Sequence, residues 1–450
     1  MTTNVDVIVI GTGSAAQTVA YKCREADRSV TVIDSRPFGG TCQLRGCDPK
    51  RVLAGVAELV DWSHRLQGKG VSTPGLSLSW PQLMTFKRTF TDPAPVSVEE
   101  GFNEAGIGMF HGRARFVDRT TVEVGDAMLT GRQIVIAAGA RRATLGIEGE
   151  EHLTSSTDFL DLEELPRRVV FVGGGYIAFE FAHVAARAGA EVQIFHRSAR
   201  PLPRFDPDLV AALVEATRSL AVDVQLDSTV EAVERKEDEL TVHVRTDGET
   251  HAVKADLVVH SAGRVPEIDD LALERAGVAF GTDGVTVNEY LQSVTNPDVY
   301  AAGDAVDSGG FRLTPVAGMQ GGIVASNLLR GNHDKPDYSG IPSVVFTTPP
   351  LSRVGLDEAG ARQLGLRFRV NRGDTAGWYT SRRLGLEHTG YKVLIEEDTD
   401  RLLGAHLLGA NSDEVINIFA LAIRAGLPAA DLRRMVYTYP TASSGIGYMI

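Results

Sequence analysis

The chain has 450 residues, room for about three domains at roughly 150 residues each, so it is not a lone small module. With 43% hydrophobic and 23% charged residues it has a globular composition, which argues against disorder, a coiled coil or a membrane bundle. A formal net charge of -13 argues against a partner gathered by bulk attraction to nucleic acid or anionic lipid. Glycine is over-represented at 47 residues, which suits tight turns and close approach of backbone to a ligand. The start of the chain has no basic region, and Val7-Ile8-Val9-Ile10 is too short to span a bilayer, so a soluble cytoplasmic protein is expected.

Val5 to Ile10 is a β-branched run followed by Gly11, Thr12, Gly13 and Ser14, then a helical stretch to Cys23 and a second strand, Val30 to Ile33, ending at Asp34. This order predicts a dinucleotide-binding unit, in which the glycines permit the turn, the helix N-terminus faces the pyrophosphate and the acid meets the ribose hydroxyls. Arg168 to Val172 repeats the pattern with Gly173, Gly174, Gly175, Tyr176, Ile177 and Ala178, and a strand from Glu191 to Phe195 follows. Two nucleotides are therefore expected. The position corresponding to Asp34 is His196, followed by Arg197, Arg200 and Arg204. Cations there suit a 2′-phosphate, so the second site should prefer NADPH; a solvated basic turn is the competing reading.

Between the copies, Ile134 to Ala140 reads as a buried strand ending in small residues, Gly139 among them. Ala255 to His260 reads as a strand leading to Gly263, where the chain leaves the second nucleotide unit. Val299 to Ala302 then leads into Gly303 and Asp304, and Leu313-Thr314-Pro315 opens a helix. Asp304 is placed either for a polyol hydroxyl at a strand's C-terminal end or as a helix cap. Beyond a polar stretch from Arg330 to Pro336, three strand-like runs and a helix from Ser412 to Ala425 predict a further unit.

Of the three cysteines, Cys23 reads as a buried small hydrophobe, whereas Cys42 and Cys47 flank a short loop that allows a disulfide. Asp48-Pro49 reads as a helix start, placing Cys47 at the positive end of a helix dipole, where a thiolate is stabilised. Zinc is the alternative, but its other ligands would have to be histidines gathered from afar.

With these residues in this order, the sequence resembles the pyridine nucleotide-disulfide oxidoreductases, in the glutathione reductase-like branch with a C-x-x-x-x-C pair. The resemblance implies an α/β fold with two Rossmann-like nucleotide-binding domains plus an α+β C-terminal dimerisation domain. FAD would be bound by residues 1–145 and 263–335, the nicotinamide nucleotide by 146–262, and the homodimer formed through 336–450. It implies cofactor contacts from Gly11, Gly13, Ser14, Asp34, Gly40, Thr41, Ala114, Gly139, Gly303, Asp304 and Thr314, and from Gly173, Gly175, Tyr176, Ile177, His196, Arg197, Arg200 and Gly263. Lys50 would pair with Glu180 beside the flavin, and Cys42 would be the interchange nucleophile with Cys47 facing the ring; no metal is implied. Two departures qualify the substrate. Tyr439 stands where the family has a general acid-base histidine, either as a proton donor or as a space filler, and the glutamate that orients that histidine is absent too. Gly322 stands where glutathione reductases carry an arginine. The expected acceptor is a small disulfide other than glutathione, with a quinone, metal ion or other non-disulfide acceptor as the alternative, and a redox-sensing protein as a third.

Overall fold

The structure is a computed structural model and describes residues 2–237, 239–307, 309 and 311–450. The chain divides into two compact units, Met1–Pro49 with Phe86–Ala143 and Gly263–Asp337, and Lys50–Thr85 with Thr144–Ala262 and Tyr338–Ile450.

The first unit is built on the run Val7-Ile8-Val9-Ile10, which is apolar on both faces and lies at the centre of a sheet. The strand Thr2–Ile10 pairs in parallel with Val30–Asp34 on one side and Ala127–Ile136 on the other. Gly108–His111 extends the sheet in parallel beyond Val30–Asp34, Val299–Ala301 pairs in parallel with Ala127–Ile136, and the short strands Thr121–Val124 and Ala114–Phe116 continue it antiparallel. Helix Ser14–Glu25 buries Ala15, Ala16, Val19, Ala20 and Cys23, the small and apolar positions of its sequence, and the same core takes in Ile323, Val324 and Ala325 of the helix Thr314–Arg330. Cys23 is indeed a core residue, and burial pushes its thiol up to about 11.

The second unit holds the repeat. Four parallel strands lie in the order Asp223–Gln225, Glu191–Phe195, Arg168–Val172, Leu257–His260, and helix Tyr176–Arg187 packs on them. The stretch from Ala255 to His260, expected as one strand, breaks at Asp256. Asp256 accepts from the Arg168 backbone N–H at 2.8 Å, which ends the antiparallel strand Glu249–Ala255 and starts Leu257–His260 in the parallel sheet. Downstream, five antiparallel strands in the order Ser343–Val345, Leu351–Gly355, Leu402–Leu408, Gly390–Glu396, Phe368–Asp374 carry helix Ser412–Ala425. That helix buries Val415, Ile416 and Phe419 against the sheet residues Val354, Val393 and Ala405.

Helix Tyr176–Arg187 also holds a fully buried His183. Its Nδ1 accepts from the Thr348 backbone N–H at 3.2 Å, so Nε2 carries the proton shared with Thr217 Oγ1 at 3.0 Å. Burial, reinforced by Arg187, keeps the ring neutral with a pKa well below the usual 6.5. The unfolded chain takes up a proton at this residue as pH falls through about 6.5 and the folded chain does not, so stability present above that pH erodes below it. His183→Gln should flatten the loss of stability between about pH 6.5 and 5, as read by urea midpoints at several pH values. An unaltered slope would rule this residue out as its cause.

Candidate active site

In the first unit the glycine turn brings two backbone segments together. A Cβ on Gly40 would lie 2.4 Å from Gly13 Cα, and Gly40 adopts φ 74°, so only glycine fits both demands. Asp34 ends its strand with one carboxylate oxygen accepting from Thr12 N at 3.0 Å and Thr12 Oγ1 at 2.7 Å and the other from Arg36 N at 3.0 Å. Ser14 begins the helix whose N-terminus faces the turn, Thr41 lies on the short helix Gly40–Arg45, and Ala114 is buried on its edge strand. Gly139 and Gly263 both have positive φ and face open space.

Asp304 follows strand Val299–Ala301 in a short 3-10 turn, and its carboxyl is raised by burial despite the pull of Arg264 and Arg312. It is not a helix cap, since Ala302 and Leu313 hold the cap positions of the turn and of the helix that follows; Gly303 N donates to Gln320 Oε1 at 2.7 Å. Arg264 is buried deeply enough for its pKa to be lowered, and it donates to the Ala140 carbonyl. Arg45, likewise lowered by burial, senses Arg36, Asp34, Glu267 and Arg264. A carboxylate at the strand end, a half-buried carboxylate and a group of guanidiniums around a glycine turn make a donor set suited to a dinucleotide with a polyol linker. Arg45, Arg264 and Glu267 were not singled out from the sequence, because Gly263-Arg264-Val265-Pro266 reads there only as a chain breaker.

Cys42 and Cys47 are both free thiols; Cys47 holds the proton on Cys42, whose Sγ donates to Asp48 Oδ1 at 3.8 Å. The segment between them is not the expected loop. Gly40–Arg45 is a helix, interrupted at Gly46, and Cys47 opens the helix Cys47–Arg65, as the Asp48-Pro49 start predicts. Thr314 Oγ1, at the first position of its own helix, lies 3.4 Å from Cys47 Sγ. The Cys42 thiol is held well above the usual thiol range by its bond to Cys47 and by burial, with the Asp48 carboxylate adding to the effect. Burial and its neighbours thus favour the protonated form of Cys42, and a helix N-terminus favours negative charge on a sulfur placed as Cys47 is.

In the second unit a Cβ on Gly173 would lie 2.6 Å from Ala262 Cα, and φ there is 106°. Gly175 precedes helix Tyr176–Arg187, whose first turn carries Tyr176 and Ile177. Burial, and then the charge of Glu180, push the Tyr176 phenol up to about 12, and its ring meets Phe205 edge-on at 5.6 Å. Lys50 Nζ lies 2.8 Å from Glu180 Oε1, with side chains only 12% and 6% exposed. Phe346 completes this pair, since its N–H donates to the same oxygen at 2.8 Å and Lys50 sits 4.3 Å above its ring. Nothing in the local sequence marks Phe346, which reaches the pair through tertiary packing.

His196 departs from its expected role as a cation. Its Nδ1 accepts from Gly174 N at 3.1 Å, its Nε2 donates to Arg200 O at 3.0 Å, and burial lowers its pKa, so it is a neutral bridge between the glycine turn and the next bend. Positive charge on that bend comes from Arg197, Arg200 and Arg204. Tyr439 is 79% exposed and lines a cleft of about 380 Å³ with Trp378, Tyr379, Thr441 and Tyr448.

Residues 5–321 match the model of the pyridine nucleotide-disulphide oxidoreductase family, and residues 341–450 match the dimerisation domain of that family. The chain belongs to the pyridine nucleotide-disulphide oxidoreductases. Among curated relatives of this oxidoreductase, it is 32% identical to a mercuric reductase of Staphylococcus aureus over 98% of its own length and 81% of that protein. It is 31% identical to a glutathione reductase of Burkholderia cepacia, covering 97% and 96% of the two chains. Among solved structures, the Cu(II) complex of the HOCl-induced flavoprotein disulfide reductase RclA from Escherichia coli matches with TM-score 0.88 at 28% identity, covering 99% and 98%. FAD is the cofactor of the family, whose members also bind a pyridine nucleotide, and the dimerisation domain supports a homodimer. Among the described residues no helix of this oxidoreductase is long and apolar enough to cross a membrane, and no group of three or more His, Cys, Asp or Glu could hold a metal ion.

Proposed function

We propose that this oxidoreductase uses NADPH to reduce a small disulfide through Cys42 and Cys47. The observation that carries the reading is the pair of free thiols, Cys42 and Cys47, at the opening of a helix, with Thr314 Oγ1 3.4 Å from Cys47 Sγ. Bound FAD would supply the two-electron link between NADPH and this pair. In the dithiol, the Cys42 sulfur attacks one sulfur of the acceptor while its proton passes to the other, so that a mixed disulfide forms, the acceptor's S–S bond breaks and the first thiol leaves. Cys47 then attacks Cys42 Sγ, releasing the second thiol and restoring the Cys42–Cys47 disulfide; two electrons have passed from the pair to the acceptor. Lys50, held by Glu180 and Phe346, is assigned to the flavin.

Arg197, Arg200 and Arg204 support NADPH over NADH, since a guanidinium suits a 2′-phosphate. Arg197→Glu should raise the KM for NADPH by about tenfold or more, the range of a lost charge-assisted hydrogen bond, and leave NADH nearly unchanged. Equal losses for the two nucleotides would refute this placement.

One feature favours a second reading, transfer to a non-disulfide acceptor. The exposed Tyr439 offers a phenol where a thiol-disulfide reaction benefits from a base near neutrality, and the relatives include mercuric reductases and a flavoprotein solved with Cu(II). The holoenzyme should be assayed for NADPH oxidation against disulfides, quinones and metal ions across pH. Turnover confined to quinones or metal ions would replace the first reading with the second.

A further inference from the structure

The feature of the redox pair that its chemistry does not require is Asp48. Its Oδ1 lies 3.8 Å from Cys42 Sγ, and both Asp48 and Cys47 are exposed to solvent. The positive end of helix Cys47–Arg65 is taken up by the Cys47 sulfur itself, and the Arg264 guanidinium also senses that sulfur. Thr314, the other group bonded to the pair, is uncharged. An acceptor at the Cys42 sulfur therefore has a solvent-exposed carboxylate beside it. Taking Cys42 as the acceptor-facing thiol of the function above, we propose that Asp48 sets the charge class of the substrate: neutral and cationic disulfides are accepted and anionic, carboxylate-bearing ones are turned away. A like charge at about 4 Å in water-like surroundings slows encounter about fivefold per unit charge, and more where the site is drier.

The test separates this proposal from the reading it rests on. The reduced holoenzyme is alkylated with iodoacetate and with iodoacetamide, and modification of Cys42 is followed by peptide mass. In each case the Cys42 sulfur forms a bond to the reagent's methylene carbon, the carbon–iodine bond breaks, iodide leaves and the thiol proton passes to solvent. The reagents differ chiefly in charge, so their intrinsic reactivities cancel when variants are compared. Asp48→Asn should raise the iodoacetate rate relative to iodoacetamide by about fivefold, with the gain shrinking in high salt, and Asp48→Glu should keep the wild-type ratio. An unchanged ratio in Asp48→Asn overturns the proposal. In turnover, Asp48→Asn should raise kcat/KM for glutathione disulfide relative to the dication cystamine by a similar factor, and equal changes for both likewise overturn it. If the wild-type enzyme reduces no disulfide at all, the proposed function fails while the alkylation ratio still decides the role of Asp48.

Discussion

Cys42→Ser is expected to lower NADPH-driven disulfide turnover by about four orders of magnitude or more, the scale on which removal of a nucleophile acts. The serine hydroxyl is a poor nucleophile at neutral pH, and the sulfur that would carry the mixed disulfide is gone. Cys47 remains at its helix start beside Thr314, so the half of the pair that the proposal places toward the flavin is left in place. Reduction of a quinone by the same variant should persist if electrons can leave directly from the cofactor. Stopped-flow reduction by NADPH, followed by steady-state rates with each acceptor, reads both effects. Wild-type rates on disulfides from Cys42→Ser would remove this residue from the reaction.

Lys50→Met is expected to destabilise the folded chain by about 3 kcal/mol, in the range for breaking a buried pair by removing one partner. The loss of attraction is the smaller part. Glu180 would be left with only 6% of its side chain exposed and a single N–H donated to it by Phe346. The methionine would also give up the contact of the ammonium with the Phe346 ring. Removing both charges together, as Lys50→Met with Glu180→Leu, should recover much of the loss, because no orphaned carboxylate is left. Urea unfolding of the two variants checks this, and a single variant as stable as the wild type would mean that the pair carries no burial penalty.

The parts of the fold legible in the sequence are those in which local chemistry and tertiary packing agree. The two glycine turns stand between β-branched strands and apolar helices, and Ser412–Ala425 has the bounds its pattern predicts. The start of helix Cys47–Arg65 was marked by Asp48-Pro49. Other features depend on groups distant in sequence. His196 is basic by composition, yet Gly174 N and the Arg200 carbonyl fix it as a neutral ring. The turn of helix at Gly40–Arg45 replaced an expected loop and thereby brought Cys42 within reach of Asp48, a proximity that spacing alone does not reveal. The buried state of Asp304 likewise arises from residues gathered by the sheet, whereas the sequence left a cap equally open.

The Cys42–Cys47 pair should store two electrons in addition to those held by the flavin. Anaerobic titration of the purified holoenzyme with dithionite, followed by absorbance, tests it directly. The wild type should take up twice the reducing equivalents of the Cys42→Ser/Cys47→Ser double variant before the flavin is fully bleached, because the dithiol–disulfide couple adds its own two electrons. Equal uptake by the two proteins would contradict the account.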